Sequence, residues 1–286
     1  MMHSDQAAEL RRRLGKETAV KQARTIAVVS GKGGVGKSSI VINFSLELIK
    51  NGKKVLLIDL DVGMGNIDIL LGFYASRSFA DLFSGDVSMH DIIERGPEGL
   101  AYIAGGKGLG SLFSLDEEKR DYFYAEYREL AKQYDYILFD MGAGASEDSI
   151  FFILAADECI VVTTPEPTAI TDAYSMVKQV VAKEPKMPFH IIMNRASSFK
   201  SGSKATERFQ KVVLRFLSAD VQRMGIIPDD KAVATAVIRQ IPFTIMNSKS
   251  PASKTMKQLT RDYLMEETET ENNASTFLQK LRRFMP

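Results

Sequence analysis

"SGKGGVGKSS", residues 30–39, decides the fold. Gly31, Gly36, Lys37 and Ser38 fall in the spacing G-x-x-x-x-G-K-[ST] of a phosphate-binding loop. Its glycines let backbone N–H groups curl around phosphate oxygens, and the helix that follows adds its positive N-terminus. The flanks carry the weight, because so short a match recurs by chance. The β-branched run "TIAVVS" (25–30) leads in as a strand, and "SSIVINFSLELIK" (38–50) leads out as a helix stopped by Asn51-Gly52. In such a loop Lys37 reaches the β- and γ-phosphates, and the Ser38 hydroxyl takes Mg²⁺. Lys32 is a second lysine for which the general motif has no use.

Working outward, apolar runs alternate with helical patterns. Strands are expected at "KVLLID" (54–59), "LAYIAG" (100–105), "YDYILFD" (134–140), "ECIVVTT" (158–164), "FHIIMN" (189–194) and "RMGIIP" (223–228). Helices are expected at about 116–133, 167–183, 203–219, 230–239 and 251–265, with short helical pieces and turns from 60 to 99. Strands that read as continuous apolar runs are buried on both faces. Alternation with helices implies an α/β fold, a doubly wound and mostly parallel sheet flanked by helices. Its ligands belong at the carboxyl ends of the strands.

Two further strand ends carry chemistry. In "LLIDLDVG" (56–63), Asp59 reads largely as a polar strand terminator, while Asp61 lies in the loop beyond, where a carboxylate can orient a water on a γ-phosphate. In "YILFDMGAGAS" (136–146), Asp140 fits the second carboxylate that phosphate-loop enzymes keep around Mg²⁺. Gly142 supplies a backbone N–H near the γ-phosphate, in a loop that must also be able to change conformation.

Composition excludes several classes. The 286 residues are 45% hydrophobic and 26% charged with a net charge of +1, an ordinary globular balance that calls for no nucleic acid. The one cysteine, Cys159, leaves no disulfide framework and fits a reducing compartment. No apolar run reaches spanning length, and the polar N-terminus lacks a signal-peptide core, so a cytoplasmic protein is expected. "EETETENN" (266–273) is acidic and polar, a linker pattern.

With "GKGGVGKSS", "IDLDVGMGNIDILLG" and "DYILFDMGAGAS" in this order, residues 25–265 resemble the MinD/ParA family of deviant P-loop ATPases. The resemblance implies a slow ATPase that works as an ATP-bound homodimer with Mg²⁺. It implies that Lys32 reaches across the dimer to the partner's nucleotide, while Lys37 serves its own. Lys32, Lys37 and Asp61 are then the catalytic set, and Ser38, Asp61 and Asp140 surround the metal. Gly33, Gly34, Val35, Gly36, Lys37, Ser38 and Ser39 cradle the phosphates, with Asp140 and Gly142 beside them. Asn194 in "IIMNR" reads adenine, and Pro228 and Asp229 in "IIPDD" lie beside base and ribose. Glu166 in "TTPEPTAITDA" is, with Lys32, a dimer contact. Ser39 stands where relatives often have threonine, and "FDMGAG" where others read "DSPAG"; neither departure threatens nucleotide binding, though the missing proline bears on how that loop switches.

The termini refine the resemblance. "SDQAAELRRRL" (4–14) matches, through Asp5, Gln6, Leu10 and Arg11, the N-terminal element of the flagellar branch of the family. That match implies an arm (1–24) that stimulates the signal-recognition-type GTPase FlhF, contacts with flagellar C-ring switch proteins, and a role in flagellar number and placement. From its residues alone the stretch is a short helix capped by Ser4 or a disordered tail. A division-site regulator of MinD type would lack the arm. A ParA-type DNA-partitioning ATPase would use a basic surface, and Lys200, Lys204, Arg208 and Lys211 keep that alternative open, although no specific nucleic acid is expected. After a linker at 266–274, residues 275–286 form an amphipathic helix. Phe277, Leu278, Leu281, Phe284 and Met285 share one arc of about 120°, with Lys280, Arg282 and Arg283 outside it. The pattern suits a helix lying on anionic membrane lipids at the inner face of the cell membrane. The rival reading is a helix docked on its own domain, but the polar linker before it and its phenylalanines with flanking cations favour the membrane, and the two states can alternate.

Overall fold

The computed structural model describes residues 22–61, 66–83, 87–105, 117–144, 147–267 and 277–284. Eight strands form one sheet: β1 (Arg24–Ser30), β2 (Val55–Leu60), β3 (Glu94–Arg95), β4 (Ala101–Ile103), β5 (Tyr136–Ala143), β6 (Glu158–Thr163), β7 (Phe189–Ala196) and β8 (Val221–Pro228). Their spatial order is β3-β4-β2-β5-β1-β6-β7-β8, parallel throughout except for the antiparallel edge strand β3. The chain therefore starts in the middle of the sheet, builds one half, and returns past β1 to build the other. β1 lies between β5 and β6, at the point where the winding reverses, and a doubly wound sheet opens its ligand crevice there.

The helices are α1 (Lys37–Lys50), α2 (Ile67–Leu71), α3 (Glu117–Ala131), α4 (Glu147–Ala155), α5 (Pro167–Lys183), α6 (Phe199–Leu217), α7 (Lys231–Ile238), α8 (Phe243–Met246), α9 (Pro251–Glu267) and α10 (Phe277–Phe284). Alternate strand residues feed two cores. Ile26 and Val28 pack with α1, α8 and α9, while Ala27 and Val29 pack with α3, α4 and α5 on the opposite face. This two-sided burial is why the strands read as unbroken apolar runs.

Three differences from the sequence reading have physical causes. Helix α4 and strand β3 were not anticipated: "EDSIFFILA" has its polar residues together at one end and then an unbroken apolar run, so it shows no helical period, and a two-residue strand has no pattern. The expected linker begins two residues late, because α9 carries on through Glu267. The third concerns α10, which is seated on the domain. Phe277 sits among three rings from separate elements, with centroids 4.7 Å from Tyr127, 5.2 Å from Phe139 and 6.2 Å from Phe152. Leu278 and Leu281 are buried beside it. Lys280 and Arg282, expected at lipid headgroups, are engaged in the protein. Lys280 Nζ lies 3.0 Å from Asp157 Oδ1 and donates to the Ala156 carbonyl, and Arg282 lies over the Tyr124 ring. The docked state is thus the one observed. Met285, the remaining linker and residues 1–21 of the expected 1–24 arm, with Asp5, Gln6, Leu10 and Arg11, lie outside the described residues.

A buried polar knot closes the opposite end of the sheet from the glycine loop. Glu158 accepts from Arg24 at 3.0 Å and from the Tyr263 hydroxyl, and His190 Nε2 stands 3.1 Å away. Burial pushes this carboxyl up, but the hydrogen bond from His190 and the Arg24 charge outweigh it and hold Glu158 below its ordinary range.

Candidate functional site

The loop after β1 turns through Gly34 (φ 78°) and Gly36 (φ 92°), both in the left-handed region that only glycine adopts freely. Gly31 is required for another reason. A Cβ there would lie 2.0 Å from the Asp172 carbonyl carbon, so α5 backs directly onto the loop. Helix α1 then starts at Lys37, whose side chain is buried and donates to Asp140 Oδ1 at 2.5 Å. Asp140 sits on β5 in register with Val28 of β1 and Asp59 of β2, which brings three strand ends into one cluster. Its second oxygen, Oδ2, is buried with no hydrogen-bond partner among the described residues.

Asp59 does more than end a strand. Its carboxylate accepts from the backbone N–H groups of Asp61 (2.9 Å), Asn66 (3.0 Å) and Ile67 (3.3 Å), and so ties both ends of the loop after β2. Burial and the adjacent Asp140 charge push it up to about 7, against the pull of the Asp61 and Ile67 N–H groups and of Lys37. Asp61 is half-buried and also raised, by burial first and by Asp140, with Lys37 opposing. A Cβ on Gly142 would come 3.3 Å from Asp61 Oδ1, so the loops after β2 and β5 touch here.

These loops surround a cavity of about 310 Å³, within the range of small-ligand sites. Gly33, Gly34, Val35, Gly36, Lys37, Ser38, Ser39, Asp61 and Asn194 line it, as the sequence suggested. Asn194 is buried, and its amide donates to the Val35 carbonyl at 2.8 Å, so it braces the glycine loop. Of the other residues expected at the nucleotide, Asp140, Gly142, Pro228 and Asp229 do not line the cavity. The Asp229 N–H is bound to the Ala196 carbonyl, and Ile227 takes the lining position instead. Sequence reasoning also missed Arg195, Val233, Val237 and Phe243, which line the cavity with Ile227. The two expected dimer contacts meet within one chain: Lys32 Nζ lies 3.6 Å from Glu166 and 3.2 Å from Thr168 Oγ1, on the exposed face beside the loop.

Residues 23–187, which carry the phosphate cradle, the buried lysine and the carboxylates, match an AAA domain family model. The chain belongs to the MinD/ParA-type P-loop ATPases. It is 33% identical to the antiactivator FleN of Pseudomonas aeruginosa, over 76% of this chain and 78% of that one. It is 37% identical to the flagellum site-determining protein YlxH of Helicobacter pylori, over 71% and 68%. Among solved structures it resembles the septum site-determining protein MinD complexed with Mg-ADP from Pyrococcus horikoshii, at 25% identity and a TM-score of 0.69, covering 87% of this chain and all of that one. P-loop ATPases of this family hydrolyse nucleotide. No helix among the described residues is long and apolar enough to cross a membrane.

Proposed function

We propose that this chain is an ATP-dependent switch that dimerises on nucleotide and helps set flagellar number and placement. The observation that carries the nucleotide reading is the cavity itself, whose lining combines a glycine cradle, Lys37 and Asp61 with the apolar side chains of Ile227, Val233, Val237 and Phe243. The donor set fits ATP with Mg²⁺: the Ser38 hydroxyl, Asp61 and the unpartnered oxygen of Asp140 are the oxygen ligands such a hard cation takes. A Mg²⁺ ion held by these oxygens would supply positive charge against the phosphates.

The protein's own groups do the rest. Backbone N–H groups of residues 33–38 hold phosphate, and Lys37 turns from Asp140 toward it. Asp61 orients the attacking water, with its loop anchored through Asp59. Lys32 leaves Glu166 and serves the second copy's nucleotide. An exposed ion pair is worth about 1 kcal/mol or less, so that release costs little. Release of α10 in the dimer presents its apolar face and cations to anionic lipid, which ties membrane residence to nucleotide state. The flagellar assignment is supported by likeness to FleN and YlxH and by the 4–14 motif, which assigns the N-terminal arm to FlhF and leaves C-ring proteins as further partners.

The test is complementation of a strain lacking this gene, scored by flagellar counts in electron micrographs. Wild type should restore the count, while Lys37→Ala and Asp61→Ala should fail although each accumulates normally. Restored flagellation by Asp61→Ala would reject a hydrolysis-driven switch. Normal flagella with misplaced septa in the deletion strain would favour the division-site role instead.

A further inference from the structure

Helix α1 ends at Lys50, and Gly52 (φ 79°) turns the chain back toward the sheet. Two lysines, Lys53 and Lys54, follow in the turn before Val55 opens β2. Val55 is in register with Tyr136 of β5, which Gln133 and Tyr134 precede in the turn after α3. Arg95 sits on the edge strand β3, opposite Ala101 at the start of β4. Strands β2, β4 and β5 run parallel, so these residues meet at the end of the sheet away from the nucleotide cavity. With Ile49 and Gly99 they enclose a cleft of about 520 Å³, within the size range of small-ligand sites.

The lining of this cleft holds three cations, an amide and a phenol, and no carboxylate. The Lys53 and Lys54 ammonium groups and the Tyr134 hydroxyl make no hydrogen bond or ion pair among the described residues. Arg95 reaches the Gly99 carbonyl at 3.5 Å, the long limit of a hydrogen bond, with one of its donors. Of the neighbouring carboxylates, Glu47 pairs with Lys50 at 2.9 Å and Asp135 accepts the Lys54 backbone N–H at 2.8 Å. Glu98 is exposed and is not part of the lining. Burial holds the Tyr134 phenol above its ordinary range, against the Arg95 charge, so it stays a donor at neutral pH. Single exposed lysines need no explanation, but a concave site where three cations face no anion does. A phosphoryl group answers all of them. It takes a guanidinium in bidentate fashion, ammonium groups as point charges and a phenol as a further donor. Ile49, Val55 and the Tyr134 ring give the rest of the ligand an apolar surface. We propose that this cleft is a second binding site for a ligand with a terminal phosphate or diphosphate, held by Lys53, Lys54 and Arg95. The group belongs either to a soluble phosphorylated molecule or to a phospholipid head, which share this chemistry. The site shares no residue with the nucleotide cavity and does not depend on how that cavity is read.

The test titrates inorganic pyrophosphate calorimetrically into the full chain with saturating ADP present. In parallel, sedimentation is measured with phosphatidylcholine vesicles with and without phosphatidic acid. Wild type should bind pyrophosphate although ADP is present, and Lys37→Ala, which disables the glycine loop, should bind it equally well. The double variant Lys53→Gln/Arg95→Gln should bind it about tenfold more weakly, with ADP affinity and urea midpoint unchanged. Arg95→Lys, which keeps the charge and loses the fork, should lose less. A matching fall in sedimentation with phosphatidic acid vesicles assigns the site to a lipid head, and a fall for pyrophosphate alone assigns it to a soluble molecule. Three results would each overturn the proposal. They are no pyrophosphate binding by wild type, equal affinity in Lys53→Gln/Arg95→Gln, and loss of binding in Lys37→Ala, which would place the anion in the glycine loop.

Discussion

Replacing Tyr127 by leucine should free α10 without unfolding its domain. The Tyr127 ring is 4.7 Å from Phe277 of α10 and 5.8 Å from Phe123 of its own helix. An aromatic pair adds about 1 kcal/mol beyond its buried area, so losing the Phe277 pair raises the undocked fraction of α10 about fivefold. The Phe123 pair is lost as well, but at the domain's expense rather than the helix's. Against that loss stands the Tyr127 hydroxyl, buried with no hydrogen-bond partner among the described residues; removing such a group returns about 1 kcal/mol. Global stability should therefore move little while docking weakens. Hydrogen exchange reads both at once: amides of 281–284 should exchange about fivefold faster, and those of β5 at the wild-type rate. Because the substitution is in the seat and leaves the helix intact, binding to anionic liposomes in ADP should rise. Unchanged exchange in α10 would refute the argument that this ring holds the helix, and faster exchange with no gain in liposome binding would refute the lipid role.

Gly31→Ala should cost about 2–3 kcal/mol in urea unfolding and abolish ATP binding, because its Cβ meets α5 backbone that cannot yield. Gly34→Ala, with open space but φ 78°, should cost only about 1 kcal/mol. For Glu158, whose folded-state pKa is depressed, stability is present above its unfolded value and lost as pH falls through the folded one. The urea midpoint of wild type should thus fall more steeply than that of Glu158→Gln below about pH 4.5; parallel curves would mean the knot around Glu158 adds nothing.

Much of the fold could be read directly, since each parallel strand is an apolar run and each crossover helix has its own period; α5 spans 167–183 in sequence pattern and structure alike. The phosphate side of the site was equally legible, because a glycine loop is local chemistry. What stayed hidden depends on neighbours remote in sequence. Asp59 looks like a strand terminator until Asp140 is set beside it on β5. Arg195 lines the cavity from a position of positive φ (53°), and a dihedral angle leaves no mark on composition. For α10, one amphipathic stripe serves a bilayer and a protein groove alike. The groove exists only because Tyr127, Phe139 and Phe152 converge from α3, β5 and α4.

Light scattering on Asp61→Ala tests the central claim most directly. With Mg²⁺ and saturating ATP the mass should rise from the 31.8 kDa of one chain to about double, and with ADP it should remain at one chain. Removing Asp61 slows chemistry but leaves the cradle, Lys37 and Lys32 in place, so the ATP-bound pair should persist. A variant that binds ATP fully and still scatters as a single chain would contradict an ATP-closed dimer as the working form of this protein.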